Sequence, residues 1–223
     1  MKILAIDTAA NLCAACIFDT EAGELGRAVL DLGKGHAEHL ITVIDDALAG
    51  AGLRYADLHL VGVAVGPGSF TGIRVGVAAA RGLALALGVQ AVGVTTLDAL
   101  AEEARDAHAG REVLAVIDAR RDQLYLARYD AEGTRVAGPS IVNLDEAVTH
   151  APPGIVLTGS AAHVVAEAAG GAFDIASNAP TADISAYALL ASRPDVMTPP
   201  RPLYLRDADA KPQEGFAVAR KAD

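Results

Sequence analysis

The chain has 223 residues, 52% of them hydrophobic, which is enough for one large domain or two small ones and excludes a disordered chain. Its formal charge of −10 excludes a stand-alone nucleic-acid binder, because phosphate affinity needs an excess of Lys and Arg. Two cysteines cannot form a disulfide framework and fit a reducing compartment. Asp7 interrupts the apolar start, and Pro67, Arg74 and Arg81 interrupt the apolar stretch 61–94. We therefore expect a cytoplasmic protein with no membrane span.

Apolar periodicity predicts an alternation of strands and helices along the chain. Thr95 with Asp98 has the spacing of a capping box and opens a helix that ends near 107. The alternation continues to about 191, and the tail from Arg193 is predicted to be partly extended. The other predicted helices are 36–50 and 72–87, and the predicted strands are 2–7, 12–18, 24–31, 59–65, 89–94, 113–118 and 123–130.

An internal repeat is visible between LAIDTAANLCAACIFDTE (4–21) and AVIDARRDQLYLARYDAE (115–132). Asp7 corresponds to Asp118 and Asp19 to Asp130, so both halves keep the same spacing. Repeats of this kind predict a duplicated α/β fold, with one subdomain at 1–105 and a second at 106–223 that includes the tail. The alternative is that two amphipathic hairpins resemble each other by chance.

The glycine-rich loop GPGSFTG (66–72) lies between a predicted strand and a predicted helix, where backbone N–H groups bind anions in many proteins. It matches neither the dinucleotide fingerprint nor the P-loop. Its glycines also fit a second interpretation, a tight turn that lets a helix pack closely on a strand. The weak candidates for a nucleotide site are Asp7, Thr8, Gly66, Gly68, Ser69 and Thr71.

Three further patterns are weak signals of a site. Cys13 and Cys16 form a C-x-x-C pattern, but their neighbours predict a strand, so we expect two buried core cysteines rather than a redox pair. His36 and His39 do not have the spacing of a zinc site, and we predict no metal. Arg120 and Arg121, which follow Asp118, are candidates for a small anion patch.

The predicted helix 72–87 is apolar almost all round, with Arg74 and Arg81 as its charged residues. A helix that lies on one sheet needs only an apolar stripe, so this pattern indicates burial on more than one side. Small residues along it would let another helix approach closely. The second cover is either a partner protein or the neighbouring helix 36–50.

Several segments together resemble the bacterial TsaB family. They are ILAIDTA, GHAEHLITVIDDAL, VGVAVGPGSFTGIRVGVAAARGLALALGV, VGVTTLDALA, AVIDARRDQLYLARYD and PLYLRDADAK, and they span nearly the whole chain. The resemblance implies the duplicated actin-like, hexokinase-like (ribonuclease-H-like) fold, with two α/β subdomains and mixed sheets. It also implies a role in making threonylcarbamoyladenosine next to the tRNA anticodon.

Within that resemblance the chain is expected to be a non-catalytic subunit. The catalytic paralogue, TsaD, holds a metal through a His-x-x-x-His pair, and the corresponding stretch 92–100 has no His here. The resemblance implies a heterodimer with a TsaD homologue, a TsaE-type ATPase as third component, tRNA contact only through the complex, and a homodimer when the chain is alone. No catalytic residue, metal or firm cofactor is expected. The predicted partner interface comprises His36, Leu40, Ile44, Gly72, Val75, Gly76, Ala79, Ala80 and Leu83.

Two alternatives of other classes stay open at this point. One is a glycoprotease-like peptidase, although Glu38 between His36 and His39 does not have the zinc-protease spacing. The other is a nucleotide-binding regulator that uses Asp7, Thr8 and the loop 66–72.

Overall fold

A computed structural model describes residues 1–193 and 198–206. The strands are β1 (Lys2–Asp7), β2 (Leu12–Asp19), β3 (Gly23–Asp31), β4 (Leu60–Ala64), β5 (Gln90–Val94), β6 (Val113–Arg120), β7 (Gln123–Tyr129), β8 (Arg135–Val142), β9 (Val156–Thr158) and β10 (Asp174–Ser177). The helices are α1 (His36–Ala51), α2 (Phe70–Leu87), α3 (Thr96–Ala107), α4 (Leu144–Thr149), α5 (Ala162–Ala169) and α6 (Ile184–Ala191). The order of elements matches the alternation predicted from the sequence. Residues 207–223, with the end of the PLYLRDADAK segment and the remainder of the predicted tail, lie outside the described residues.

Two five-stranded sheets have the same topology. The first has the order β3-β2-β1-β4-β5 and the second the order β10-β9-β6-β7-β8, which is the first order read backwards. In each sheet a three-stranded antiparallel meander is joined to two parallel strands. The two mixed-sheet α/β subdomains expected from the repeat are therefore present.

Helix boundaries follow local capping. Thr95 accepts a hydrogen bond from the Asp98 N–H at 3.0 Å, which is the predicted start of α3. Helix α2 begins at Phe70, two residues before the predicted start, because the Ser69 side chain caps it by accepting from the Gly72 N–H. It ends at Gly88, whose φ of 68° suits glycine.

One apolar core crosses from the first half of the chain into the second. It joins residues of β1, β2 and β4 to Val113 and Ala115 of β6, and α6 of the second half packs against β1. A smaller core belongs to the second half alone. The division at residue 105 stays a prediction, because the larger core includes residues from both sides of it.

Asp7 connects α6 and the segment before it to β1. Its carboxylate is buried and accepts hydrogen bonds from the Ala9 N–H at 2.7 Å and from the Thr181 hydroxyl. Thr181 lies 2.6 Å from the Tyr187 hydroxyl, and both side chains are buried. Burial raises the pKa of Asp7 above its ordinary value of 3.8, and these hydrogen bonds oppose the shift only in part.

The glycine-rich loop lies directly against the turn between β1 and β2. A Cβ at Gly72 would overlap the carbonyl oxygen of Thr8, and a Cβ at Gly68 would overlap that of Ala9. A Cβ at Gly76 would lie 2.5 Å from Thr8 Oγ1. The start of α2 is therefore as close to the sheet as backbone atoms allow, and only glycine permits this approach.

We expect Gly72→Ala to destabilise the fold by about 1–3 kcal/mol or more, the range of overpacked cores, because its methyl group meets backbone. Gly82→Ala is the matched control in the same helix, since nothing lies within 4 Å of its Cβ position. It is expected to stabilise the fold by about 0.5–1 kcal/mol through helix propensity. Urea unfolding of both variants measures the difference, and equal stabilities would contradict the close contact.

We expect Asp7→Asn to fold normally and to be more stable than the parent at neutral pH. A carboxyl whose pKa is raised by folding loses stability as pH rises from its ordinary pKa through its folded pKa, and asparagine removes this loss. Its amide can still accept from the Ala9 N–H and donate to Thr181. Urea unfolding between about pH 3 and pH 8 checks whether the gain grows with pH.

Asp183→Asn is the control of opposite sign for this pH series. Burial raises the pKa of Asp183, but hydrogen bonds from Arg27 and Ser185 outweigh it and lower the pKa to about 2. Its removal is therefore expected to cost most stability above the ordinary pKa of 3.8 and progressively less as pH falls towards the folded pKa of about 2. If the difference in free energy of unfolding between Asp7→Asn and the parent does not change with pH, the claim that burial raises the pKa of Asp7 is contradicted.

Candidate functional site

The six predicted nucleotide-site residues lie near one another but differ in exposure. Asp7 and Thr8 are buried, and the Thr8 hydroxyl donates to the Gly72 carbonyl oxygen at 2.8 Å. Gly66 is also buried, whereas Gly68, Ser69 and Thr71 are exposed. The loop packs on top of β1 and encloses the side chains of Asp7 and Thr8, so a nucleotide site that uses them stays a prediction.

Two backbone donors of the loop and the carbonyl group of its first residue are hydrogen-bonded inside the protein. The Ser69 N–H donates to the Ala9 carbonyl at 2.6 Å, and the Gly72 N–H donates to the Ser69 hydroxyl at 3.2 Å. The Gly66 carbonyl accepts from the Thr96 N–H at 2.8 Å. These bonds support the second interpretation of the glycines, close packing of helix on strand.

A cavity of about 670 Å³ lies beside the loop, between the two halves of the chain. From the first half it is lined by Asn11, Ser69 and Phe70, and from the second half by Asp118 and Arg120. Asp118 is exposed, unlike its repeat counterpart Asp7. The sequence analysis pointed to this cavity only through Arg120, which it named with Arg121 as a candidate anion patch.

Other lining residues of this cavity were missed by sequence reasoning. Tyr125, Ser160 and Arg206 reach it from β7, from the loop after β9 and from the C-terminal segment. The Ser160 hydroxyl accepts from the Asp118 N–H at 3.0 Å. No local pattern distinguishes these residues, because the pairing of the two halves brings them together.

A second cavity, of about 660 Å³, lies on α3 and is lined by side chains that neutralise one another. The Asp98 carboxylate accepts from Thr95, from Tyr129 at 2.7 Å and from Arg135 at 3.1 Å. Glu102 pairs with both Arg105 and Arg193. These contacts hold α3 to the second half, so we interpret this cluster as structural.

The cysteine and histidine patterns have structural explanations. Burial raises the pKa of the Cys13 thiol to about 11 and that of Cys16 to about 12, so both are poor nucleophiles at neutral pH. The expectation of two buried core cysteines is confirmed. His36 is buried with Nε2 3.1 Å from the Leu12 carbonyl oxygen, whereas His39 is exposed. Within residues 1–193 and 198–206, no three His, Cys, Asp or Glu side chains are grouped so that they could hold a metal.

The predicted partner interface needs correction at residue level. Three of its residues, Val75, Ala79 and Leu83, are partly exposed. The other six are buried inside the monomer. The close approach of α2 to the sheet turns its three small residues inward, and α1 packs its three on β2 and β3. Those six are His36, Leu40, Ile44, Gly72, Gly76 and Ala80.

Helix α2 exposes a different set of apolar residues. Only six of its eighteen residues are buried. Leu85 is 86% exposed, and on the neighbouring α1 the side chain of Ile41 is 50% exposed. We call Ala78, Gly82, Leu85 and Ala86, all exposed, the outer face of α2.

Helix α2 is also long and apolar enough to cross a membrane by length and composition alone. It contains Arg74 and Arg81, and it connects two parallel strands of one sheet, β4 and β5. Its inner side packs on that sheet, which is the position of a crossover helix in an α/β domain.

The sequence matches the family described as "TsaD: tRNA N6-adenosine threonylcarbamoyltransferase" over residues 31–192. An uncharacterized protein of Mycobacterium leprae is 37% identical over 94% of this chain and 56% of its own length. One of Mycobacterium tuberculosis is 37% identical over 94% of both chains. The TsaB protein of Escherichia coli is 34% identical over 59% of this chain and 56% of its own length. The match thus spans little more than half of the first and third of these relatives.

Solved structures confirm the fold. A Pseudomonas aeruginosa protein with similarity to the peptidase YeaZ superposes with a TM-score of 0.77, at 24% identity over 92% of this chain and 99% of that one. The Acidaminococcus fermentans 2-hydroxyglutaryl-CoA dehydratase component A superposes with a TM-score of 0.52 at 11% identity, over 86% and 97% of the two chains. The duplicated actin-like fold expected from the sequence is confirmed. With the family match and the TsaB-named relatives, these findings show that the chain belongs to the TsaB family.

Proposed function

We propose that this chain is the non-catalytic subunit of an assembly that makes threonylcarbamoyladenosine in tRNA, and that it supports a catalytic TsaD-type partner. The relatives named for this biosynthesis support the pathway. The observation that carries the role within it is the outer face of α2, which leaves Leu85 86% exposed on a helix already packed on its sheet. Such an apolar patch is typical of a surface that binds another protein.

The non-catalytic assignment is supported by how the chain uses its polar groups. Asp7 and Thr8, which end β1 at the edge where sheet proteins often act on phosphates, are buried and hydrogen-bonded inside the protein. The stretch 92–100 contains no histidine that could act as a metal ligand. A metal-assisted transfer would therefore take its ligands from the partner.

The partner surface is formed by α1 and α2 together. Beside the outer face of α2, the half-buried residues Val75, Ala79 and Leu83 remain available for contact, and Ile41 extends from α1. A surface of this kind can also pair with a second copy of itself, so we propose a homodimer when the partner is absent. We further propose a TsaE-type ATPase as third component and a cytoplasmic location.

The two alternatives have less support. A nucleotide-binding regulator would need the loop donors and Asp7, but the Ser69 and Gly72 N–H groups and the Asp7 carboxylate are already hydrogen-bonded within the fold. A peptidase would need a nucleophile with a base or a metal site. His36 and His39 do not provide one together, since His36 is buried against Leu12 and His39 is exposed.

We expect Leu85→Glu to weaken heterodimer formation by about a hundredfold or more and to abolish tRNA modification, because it leaves an unpaired charge in a dry contact. The monomer should keep its fold, since residue 85 is 86% exposed. Val136→Glu is the matched control, because it places the same charge at an exposed apolar position of β8. Calorimetric titration with the partner measures both, and wild-type affinity for folded Leu85→Glu would place the surface elsewhere.

We expect the isolated chain to leave tRNA unmodified when it is given threonylcarbamoyl-adenylate, and modification to begin when the TsaD homologue is added. The net charge of −10 also predicts a tRNA dissociation constant weaker than micromolar for the lone chain at ~150 mM salt. Nucleoside analysis and filter binding measure the two properties. Turnover by the chain alone would overturn the non-catalytic assignment.

A further inference from the structure

The arginines of this acidic chain differ in how their charge is balanced. Most pair with carboxylates, namely Arg27, Arg54, Arg105, Arg111, Arg128, Arg135 and Arg193. Within residues 1–193 and 198–206, no ion pair to a carboxylate is formed by the guanidinium groups of Arg74, Arg81, Arg120, Arg201 and Arg206. Three of these five lie at or beside the cavity between the two halves: Arg120 and Arg206 line it, and Arg74 lies against Phe70, which also lines it. We call these three residues the arginine patch. Among the described residues, no carboxylate oxygen lies within 4 Å of these guanidinium groups, so their N–H donors are not held in an ion pair; Asp118 contributes one negative charge to the same cavity.

Arg120 and Arg206 both line the cavity of about 670 Å³ between the two halves. Arg206 Nη2 donates to the Ala119 carbonyl oxygen at 3.3 Å and to Gln123 Oε1, which are uncharged acceptors. These bonds fix the guanidinium without cancelling its charge. Asp118 lines the same cavity and receives a hydrogen bond from the Arg120 N–H at 2.7 Å.

The turn that carries Arg120 has a left-handed backbone. Arg120, Arg121 and Asp122 have φ values of 62°, 55° and 56°, in the left-handed region that favours glycine. Arg121 and Asp122 form the two-residue loop of the β6–β7 hairpin, where a type I′ turn requires a positive φ at both positions. This tight turn holds the exposed Arg120 at the edge of the cavity.

Aromatic rings lie next to these charges. Phe70 lines the cavity and is 54% exposed, and Tyr204 is 47% exposed. Their ring centroids are 5.3 Å apart. The Arg74 guanidinium carbon lies 3.7 Å from the centre of the Phe70 ring, and Nε donates to the Tyr204 hydroxyl at 2.7 Å. Aromatic faces beside unpaired arginines are the combination that binds stacked bases and phosphates.

We propose that the arginine patch, with Phe70 and Tyr204, contacts an unpaired segment of the RNA substrate. Arg120 and Arg206 contact backbone phosphates, and the rings stack on a base, which is accessible only where the RNA is single-stranded. This inference rests on the proposed function. A net charge of −10 makes the contact too weak for the lone chain, so it acts once the assembly holds the tRNA.

The position of the patch leaves room for the protein partner. Phe70 begins α2, and Leu85 of its outer face lies fifteen residues later, which corresponds to about 22 Å along the helix. One end of α2 therefore meets the cavity, and the other presents the apolar surface. Both contacts can form in the same assembly.

The test uses the assembly of this chain with its TsaD-type partner and measures tRNA affinity from about 50 to about 300 mM salt. Arg120→Gln/Arg206→Gln should raise the dissociation constant at least tenfold at about 150 mM salt. It should also make the slope of log affinity against log salt shallower by about 2, one unit for each lost phosphate contact. Arg54→Gln/Arg111→Gln removes the same charge from paired surface arginines and should change neither value.

Phe70→Ala separates stacking from charge, and it also serves if the double variant does not fold. It should weaken binding at least fivefold and leave the salt slope unchanged. Binding within twofold of wild type in folded variants would overturn the inference. Binding of pyrophosphate in this cavity that leaves the tRNA affinity of the assembly unchanged would also overturn the inference. The cavity would then bind a small anion and not the RNA.

The same measurements distinguish this inference from the proposed function. A wild-type assembly that does not form, or does not modify tRNA, refutes the proposed function and this inference with it. An assembly that modifies tRNA normally, and binds it equally well with and without the arginine patch, refutes this inference alone.

Discussion

The contact between the start of α2 and the turn after β1 determines much of the molecule. Gly72 lies against the Thr8 carbonyl, Gly68 lies against that of Ala9, and a Cβ at either position would overlap backbone. This contact encloses Asp7 and Thr8, fixes which side of α2 faces the sheet, and leaves Phe70 at the edge of the cavity. The enclosed side chains, the outer face of α2 and the Phe70 ring are therefore all positioned by the same short stretch of backbone.

The two halves show how one topology supports different chemistry. In the first half Asp7 is enclosed and hydrogen-bonded, whereas its counterpart Asp118 is exposed at the cavity. The second half repeats the close glycine contact, since a Cβ at Gly159 would overlap the Val116 carbonyl. The loop after Gly159 is short and holds Asp118 through Ser160. Duplication thus kept the sheet order, while loop length and packing decided which aspartate remained accessible.

Helix α2 exposes different side chains at its two ends, while one of its sides is packed on the sheet. Its inner side is fixed by glycines and by Ile73 and Val77, both buried. Its first turn carries an exposed ring and an unpaired arginine, and its last turns carry exposed aliphatic residues. Because one side of the helix is fixed on the sheet, the aromatic and charged residues at its start and the apolar residues near its end stay about four turns apart.

The sequence alone determined the succession of strands and helices, the cap at Thr95, the burial of both cysteines and the duplicated fold. Each follows from local periodicity, local hydrogen bonding or the repeated motif, so no distant contact was needed. It could not orient α2, because a helix that is apolar almost all round carries no polar stripe to mark its outer side, and Gly76 and Ala80 therefore looked as available as Leu85. Nor could it show that Asp7 is enclosed or that Arg206 meets Arg120, since residues far apart in the chain meet only after the two sheets have formed and packed. Tertiary structure decided these points. Periodicity is a property of one segment, whereas backbone contact and burial depend on which other segment packs against it.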